Sequence, residues 1–241
     1  GTLNEVVRGA VSYPNASITV VPTGSGNDFI RCFSDPNAFR DLNRLRCCEE
    51  ASFDLIRTGS DWAINVCSIG FDARVGTEIS RYKRLPFLTG SGAYVLSILV
   101  NVLRGIHAPY TVKLDDQCFK EPLTMICVCN GRYYGGGFNP VPDAEPDDGF
   151  LDVLLVAPVS RLTVAAVIGH YKRGEYLKFP HLIRHFRCKS VQISCQTLTS
   201  VNLDGELRTQ KEVSFQLVPQ KIRFFYPKGL TYHTRNSSNQ V

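Results

Sequence analysis

The sequence predicts an α/β region followed by a mainly antiparallel β region. The chain up to a polar break at residues 47–50 contains, in order, a helix-period pattern, a short apolar strand and a glycine-rich loop. This order is typical of α/β structure. From Ser52 onward, short apolar runs with turn residues between them predict strands that pair with their neighbours. The 241 residues, 44% of them hydrophobic, are enough for one large or two small globular domains.

The first predicted element is an amphipathic helix that starts at the second residue. Its apolar positions recur with helical spacing, and they are Leu3, Val6, Val7, Ala10 and Val11. Thr2 and Glu5 have the spacing of a capping box, so we expect the Thr2 side chain to cap the first turn.

A glycine-rich loop, "PTGSGNDF" from Pro22, follows the short predicted strand "SITVV" and leads into another helix start. Glycines let the backbone approach an anion, and a helix N-terminus offers free N–H groups. Asn27 and Asp28 could cap this helix or hold a nucleotide or metal. A plain turn between strand and helix is the alternative. Two helix N-termini at one edge of a parallel sheet would form a ligand site.

The β region is predicted from a hairpin at Thr58–Asp61 and a series of short strands. The strand segments are "YTVKLDD", "LTMICVCN", "GFLDVLLVAP", "SVQISC", "SVNLDGE" and "EVSFQLVP". Two helices, at about 92–103 and 160–172, interrupt them.

Two segments of this region carry carboxylates that suit chemistry. Before the strand "GFLDV", Asp143, Glu145, Asp147 and Asp148 offer the oxygen ligands that Mg²⁺ or Ca²⁺ prefers, unless this is a solvated acidic turn. In "VNLDGELR", Asp204-Gly205 is a strong hairpin signal. Facing a cleft, Asp204 and Glu206 would instead serve as a general base and a positioning group.

The charge of +5 is mild, so it suits an anionic ligand or membrane surface and does not by itself indicate nucleic acid. The basic, aromatic segment 170–189 is either a solvated face or a contact for lipid head groups. The nine cysteines lack zinc-site spacing and are expected to be reduced thiols that fill core volume.

Four motifs in order resemble one family. They are "GTLNEV" at Gly1, "PTGSGNDF" at Pro22, "GGGFNPVPDAEPDDGFLDV" at Gly135 and "LDGE" at Leu203, with "INVCSIGFDARV" from Ile64 as a further similar stretch. The chain thus resembles the bacterial diacylglycerol kinase-like lipid kinases, relatives of sphingosine kinases and, more distantly, of NAD kinases. In that family the first motif begins G-G-D-G-T, so the resemblance implies that this chain starts inside the nucleotide loop and that it alone has little activity.

The resemblance implies a partial Rossmann-like, NAD-kinase-like nucleotide-binding domain followed by an antiparallel β-sandwich-like domain. We expect the first at residues 1–51, rejoined by 224–241, and the second at 52–223. It implies roles by position. Asp204 would be the general base, with Glu206 beside it. The ATP phosphates would meet Gly1, Thr2, Leu3, Asn4, Glu5, Ser25, Gly26 and Asn27. A structural Mg²⁺ would bind Asp148 and the main-chain carbonyls of Glu145 and Phe150.

The implied function is ATP- and Mg²⁺-dependent transfer of the γ-phosphate to a lipid hydroxyl, with diacylglycerol as the first choice. Phosphatidylglycerol, undecaprenol or a sphingoid base are open alternatives. So are an NAD-kinase-like nucleotide kinase and a non-catalytic lipid-binding fragment. The resemblance further implies a cytoplasmic protein at the inner membrane face, in peripheral contact with lipid through residues 95–103 or 172–187. It implies no nucleic-acid partner, and it leaves a homodimer open.

Overall fold

A computed structural model describes residues 1–24, 26–70 and 107–234, with Arg161 as backbone only. The predicted helix at 92–103 and its proposed lipid contact at 95–103 lie outside the described residues, as does Ser25. The described helices are α1 (Thr2–Ala10), α2 (Leu42–Arg46) and α3 (Arg161–Lys172). Short 3-10 helices lie at Phe29–Cys32, Pro36–Arg40 and Tyr176–Lys178.

The described strands form one continuous, mainly antiparallel sheet. They are β1 (Ser17–Ile18), β2 (Cys48–Thr58), β3 (Asp61–Ala63), β4 (Val66–Gly70), β5 (Ala108–Leu114), β6 (Gln117–Leu123), β7 (Met125–Cys129), β8 (Leu151–Val156), β9 (Ile183–Cys188), β10 (Ser190–Leu203) and β11 (Glu206–Pro227). The main order is β3-β2-β11-β10-β4-β7-β8-β9. Strand β5 pairs with β6 and with β10 beside this path, and β1 pairs with β11 in parallel. With α1 and β1 at one end, this is the α/β plus antiparallel β layout that the sequence predicts.

Two long strands connect the parts of the sheet. The first half of β10 pairs with β5 and its second half pairs with β4, with an irregularity between Ser194 and Thr199. Strand β11 spans 22 residues and pairs first with β10 and then with β2. A chain that changes partners along its length lets one sheet fold over on itself, because each half belongs to a different layer.

The carboxylate of Asp54 on β2 holds a bulge in β11, just after β11 has changed partner from β10 to β2. The register of β11 against β2 shifts between Val218 and Ile222, and Gln220 in that interval has φ +47°. Asp54 is fully buried, and its carboxylate accepts hydrogen bonds from Gln220 N at 2.7 Å and Gly149 N at 2.8 Å. Burial raises the pKa of Asp54. The bulge and the acidic turn before β8 are therefore tied to the same side chain.

Helix α1 starts at Thr2 as predicted, but the predicted Thr2 cap is wrong. Gly1 is the N-cap residue and no side chain caps the turn. Instead, the Gly1 carbonyl accepts the amides of Asn4 and Glu5, because the helical turn begins one residue before the capping-box register. Val7 and Val11 are buried as the periodicity predicts, while Val6 is exposed and Asn4 is buried.

Three other elements differ from expectation. The helix predicted after the glycine-rich loop is a 3-10 helix at Phe29–Cys32, and the strand before that loop is only Ser17–Ile18. The basic segment contains strand β9, which forms an edge of the main path through its pairing with β8. Helix α3, the hairpin at Thr58–Asp61 and the remaining strand segments are confirmed.

The described chain has three buried clusters. One fills the space under β4, β5, β8 and β10, and a second lies between β7, β8 and α3. The third packs α1 and the 3-10 helices on β2 and β11 through the aromatic side chains Phe29, Phe33, Phe39, Phe53 and Phe224. Six of the nine cysteines are buried and none is in a disulfide. Among the described residues, no helix is long and apolar enough to span a bilayer.

Candidate functional site

The hairpin between β10 and β11 carries Asp204 in a two-residue turn. Leu203 pairs with Glu206, and the two turn residues Asp204 and Gly205 have φ +51° and +100°. Two positive φ values are what a type I′ hairpin needs, and Asp-Gly is a favoured pair for it. The turn predicted from the sequence is therefore present, and it directs the Asp204 side chain back toward the sheet.

The Asp204 carboxylate is held by three consecutive backbone amides just before and at the start of β4. Oδ1 accepts from Asn65 N at 3.1 Å and from Val66 N at 2.8 Å. Oδ2 accepts from Ile64 N at 2.7 Å and Asn65 N at 3.2 Å. Such a set of amides fixes a carboxylate to a fraction of an ångström and stabilises its negative charge.

The first turn of α1 lies directly beside this carboxylate. The Asn4 side chain is buried, and its Nδ2 donates to Asp204 Oδ2 at 3.3 Å and to the Trp62 carbonyl at 2.8 Å. The Gly1 nitrogen is 3.2 Å from the Asp204 carbonyl and 4.0 Å from Glu206 Oε1. The structure therefore brings Gly1, Asn4, Asp204 and Glu206 together, although they are some 200 positions apart.

Electrostatics around Asp204 favour a proton acceptor of raised basicity. Burial raises the pKa of Asp204, while the amides of Ile64, Val66 and Asn65 and the Asn4 side chain oppose that rise. Asp204 as a whole residue is half-buried at the turn. The neighbouring Cys67 thiol is fully buried, and burial raises its pKa first, with the charge of Asp204 adding to the effect. Cys67 is therefore a neutral neighbour.

The remaining residues predicted at the phosphates are placed in two groups. Thr2 and Glu5 are exposed on α1, and Leu3 is half-buried against the aromatic cluster. In the second loop, Asn27 has φ +50° and its Nδ2 donates to the Gly24 carbonyl at 2.6 Å, while Arg31 donates to the Gly26 carbonyl. The hydrogen bonds described for Gly26 and Asn27 thus stay within their own loop.

Asp28 connects the second loop to the glycine triplet of the third motif. Its Oδ2 accepts from Gly136 N at 2.8 Å, and its Oδ1 lies 3.3 Å from Arg31 Nε. Burial raises the pKa of Asp28, against the opposing effects of the Gly136 amide and of Arg31. Asp28 is the N-cap residue of the 3-10 helix but does not cap it with its side chain. It acts as a brace between two loops.

The acidic turn before β8 contains the predicted metal ligands. Asp148 Oδ1 accepts from Phe150 N at 3.0 Å, and Oδ2 accepts from Arg187 Nη2 at 2.5 Å. The Arg187 guanidinium also stacks over the Phe150 ring at 4.3 Å. One carboxylate and a turn rich in carbonyls have the donor chemistry of a hard cation. An ion held here would share the Asp148 carboxylate with Arg187 and the Phe150 amide, and the predicted Mg²⁺ site stays a prediction.

Two of the other three acids of this turn bind the last described residues of the chain. Glu145 Oε1 accepts from Thr234 N at 2.7 Å, and Asp147 accepts from Tyr232 OH at 2.9 Å and contacts His233 Nε2 at 3.0 Å. Candidate metal-ligating atoms of Glu145, Asp147 and His233 lie within 4.8 Å of one another. Asp143 is exposed.

Much of the charge in the basic segment 170–189 is paired with acidic side chains of the segment itself or of neighbouring elements. Glu175 binds His170, Arg173 and Lys178, Arg184 binds Glu121, and Arg187 binds Asp148. The ion pair and hydrogen bond from Arg173, followed by those of His170 and Lys178, lower the pKa of Glu175. Lipid contact through this segment stays a prediction.

Sequence reasoning missed three groups that build the site. It did not assign the amides at residues 64–66, the Trp62 carbonyl or the brace from Asp28 to Gly136. For the Trp62 carbonyl, a signal existed: Asn4 is a polar residue on the same helical face as Val7 and Val11, so it needs a buried partner. For the amides at 64–66 there is no signal, because any residue type supplies a backbone N–H. For the brace, none exists, because the two loops are joined only by folding.

Two family models match the chain. A "Diacylglycerol kinase catalytic domain" matches residues 1–59, and a "YegS C-terminal NAD kinase beta sandwich-like domain" matches residues 65–226. The domain boundaries expected at 51/52 and 223/224 stay predictions.

Similar proteins carry related names. A "Probable lipid kinase YegS-like" of Shewanella frigidimarina is 28% identical over 94% of this chain and 74% of its own length. A "Putative lipid kinase" of Staphylococcus haemolyticus is 23% identical over 92% of this chain and 72% of its own.

Solved structures share the fold. A crystal structure of a "putative diacylglycerol kinase" from Bacillus anthracis has a TM-score of 0.75 at 22% identity, over 95% of this chain and 76% of that one. The second-domain match covers most of the chain, and the first-domain match covers α1, the glycine-rich loop and β2. The chain belongs to the diacylglycerol kinase-like lipid kinases, which are phosphotransferases with an alcohol acceptor.

Proposed function

We propose that the protein transfers the γ-phosphate of ATP to the hydroxyl of diacylglycerol, with Asp204 as the general base and Mg²⁺ as the cofactor. The observation that carries this proposal is the Asp204 carboxylate, fixed by three backbone amides beside the first turn of α1. A general base must be held at a defined distance from the proton that it accepts. Here backbone amides hold the Asp204 carboxylate in place.

The reaction then needs positioning more than covalent help. The lipid oxygen forms a bond to the γ-phosphorus, the bond from that phosphorus to the bridging oxygen of ATP breaks, and ADP leaves. Asp204 accepts the hydroxyl proton. Gly1 and the second loop support the phosphates, because glycine backbones allow close approach. Mg²⁺ supplies neutralisation of phosphate charge when it is bound.

Asp148 with the carbonyls of Glu145 and Phe150 would hold a structural Mg²⁺ away from the reacting atoms. Their place in the turn before β8 supports a stabilising role, since Asp54 connects that turn to β2 and β11. Peripheral contact with a membrane is part of the proposal because the acceptor is a lipid. Leu162 in the first turn of α3 is 83% exposed and Leu177 in the 3-10 helix after α3 is 75% exposed, and both support it.

The test compares acceptors in the longest form of the protein that its gene encodes. ATP labelled at the γ-phosphate is supplied with diacylglycerol, phosphatidylglycerol, undecaprenol or sphingosine in mixed micelles, and with NAD in solution. We expect diacylglycerol to exceed every other acceptor in kcat/KM by about tenfold or more. A larger value for another lipid would reassign the substrate, and a larger value for NAD would overturn the lipid acceptor.

A further inference from the structure

Asn4 is a buried polar side chain in a helix whose other buried residues are apolar. It is 3% exposed and shares its helical face with Val7 and Val11. Both hydrogens of its amide nitrogen are used, one on the Trp62 carbonyl at 2.8 Å and one on Asp204 Oδ2 at 3.3 Å. The Asn4 amide therefore points toward Asp204 and the protein interior. A side chain on α1 that binds phosphate would instead point outward from the helix.

The acceptor sites of the Asp204 carboxylate are full. An ionised carboxylate offers about four lone-pair positions. The amides of Ile64, Asn65 and Val66 make four contacts, since the single Asn65 N–H is shared between both oxygens, and Asn4 adds a fifth contact. Four donors thus occupy about four positions. A carboxylate that is saturated with donors has no lone pair free for a substrate proton. One donor must therefore move before Asp204 can act as a base.

The geometry singles out the donor that moves. The amides at 64–66 belong to the backbone that enters β4, so none can leave without moving the strand. The Asn4 bond is the longest of the five contacts and comes from a side chain, which can rotate. When it leaves Asp204, the Asn4 amide keeps its shorter bond to Trp62.

We propose that Asn4 is a positioning residue for Asp204 that occupies the site of the acceptor hydroxyl and gives way to it, and that Asn4 does not bind phosphate. This rests on the proposed role of Asp204 as the base. The hydroxyl takes the place of Asn4 on Oδ2 and passes its proton to that oxygen as the bond from oxygen to phosphorus forms. Before the substrate arrives, Asn4 keeps Oδ2 oriented and excludes water from it.

The experiment uses Asn4→Ala and Asn4→Asp in the longest form of the protein, with Val6→Ala as the control. Val6 is exposed on the same helix, so its truncation should leave every measurement unchanged. For Asn4→Ala we expect kcat to fall by roughly tenfold or more while the KM for ATP changes by less than about threefold. A phosphate ligand would show the opposite pattern, a raised KM for ATP, and that result would overturn the proposal.

The second readout is the acid limb of kcat/KM against pH. Asn4→Asp places a second carboxylate against Asp204, which should shift this limb upward by about one pH unit. The other titratable groups close to Asp204 are Cys67 on β4 and Glu206 on β11, and the substitution leaves both in place. Asn4→Asp also turns a carboxylate toward the Trp62 carbonyl, so its melting temperature must be recorded. If it does not fold, Asn4→Ala carries the test.

A third measurement separates this inference from the proposed function. Carboxyl titration of Asp204, followed by NMR without substrate, should move upward in both Asn4 variants because the charged form loses a donor. If it moves but no lipid is phosphorylated, Asn4 positions Asp204 and the kinase assignment fails. If lipid is phosphorylated but the titration is unmoved, the kinase assignment stands and the inference about Asn4 is wrong.

Discussion

At the scale of single residues, Asp204 combines two roles that the sequence presents as alternatives. It is a turn residue with positive φ, and its carboxylate is the acceptor for three amides of another segment. A turn residue with an outward side chain would tolerate asparagine. Here, asparagine replaces one acceptor oxygen by an NH₂ group that would face backbone donors, so the substitution removes a base and disturbs its support.

The pH dependence of Asp204 has a defined sign. Because burial raises its pKa, Asp204 becomes protonated at a higher pH than an ordinary aspartate as the pH falls. We therefore expect kcat/KM to decrease as the pH falls through the pKa of Asp204. We also expect Asp204→Asn to lower kcat by about 10²- to 10⁴-fold at neutral pH. In stability, a raised folded pKa means that ionised Asp204 costs free energy as the pH rises through it.

Asp115→Asn is the matched control for this prediction. Asp115 also has positive φ in a two-residue hairpin, and its carboxylate accepts from Lys189 N and Ser190 N. It should lose some stability and keep kcat and the acid limb unchanged. Equal kinetic losses in the two variants would mean that the assay reports on hairpin stability and that Asp204 has no special role in proton transfer.

The Asp-Gly pair and the family motifs are enough to predict the hairpin and to nominate Asp204. They cannot predict its partners, since the amides at 64–66 are about 140 positions away and any residue type supplies an N–H. The resemblance alone places Asn4 at the phosphates, and the structure shows its side chain bonded to Trp62 and Asp204. A polar residue among Leu3, Val7 and Val11 indicates a buried partner, but its identity depends on how α1 packs on β3.

At the scale of elements, the acidic turn before β8 is held by a cation from the protein itself. Arg187 of β9 pairs with Asp148, lies 3.7 Å from Asp152 and stacks over Phe150. Strand β9 was not predicted, because its charged residues obscure the alternation, and their pairing with this turn explains the charges. The sequence could show the acids and the bases but not that they neutralise one another.

We expect Asp148→Ala to lower the melting temperature more than it weakens ATP binding. The variant loses the Arg187 ion pair and the hydrogen bond from Phe150 N. If Mg²⁺ binds here, the unmodified protein should melt at a higher temperature with Mg²⁺ than with chelator. The variant should melt at the same temperature in both conditions. Asp143→Ala, at an exposed acid of the same turn, is the control. If the melting temperature of the unmodified protein is the same with Mg²⁺ and with chelator, the stabilising role belongs to Arg187 alone.

At the scale of the whole molecule, the segment 231–234 joins parts of the chain that are distant in sequence. The Thr231 carbonyl accepts from Ser34 N, the Tyr232 carbonyl from Arg132, and Thr234 N donates to Glu145. Arg132 is 6% exposed and donates to the carbonyls of Ala144, Cys32 and Tyr232. The Arg132 guanidinium thus connects the 3-10 helix Phe29–Cys32, the acidic turn before β8 and the end of the described chain.

Arg132→Leu should destabilise the fold by at least about 2 kcal/mol, because three buried carbonyls lose their donor. Unfolding in denaturant, followed by near- and far-UV circular dichroism, measures this free energy. Arg44→Gln is the control, since its ion pair with Asp35 is exposed and worth about 1 kcal/mol or less. A loss no larger for Arg132→Leu than for the control would show that the segment 231–234 is held by its aromatic contacts instead.

The late position of β11 has a consequence for biosynthesis. Its Gln220 donates a hydrogen bond to Asp54 of β2, 166 residues earlier in the chain. Strand β2 therefore leaves the ribosome long before β11 has been synthesised. At typical translation rates of about 5–20 residues per second, the wait is roughly 8–30 s. During it, the apolar side chains of β2 and its unpaired edge are open to other nascent chains. We expect the yield of folded protein in the cell to fall when translation between β2 and β11 is slowed, and this yield can be measured with slow codons placed in that interval.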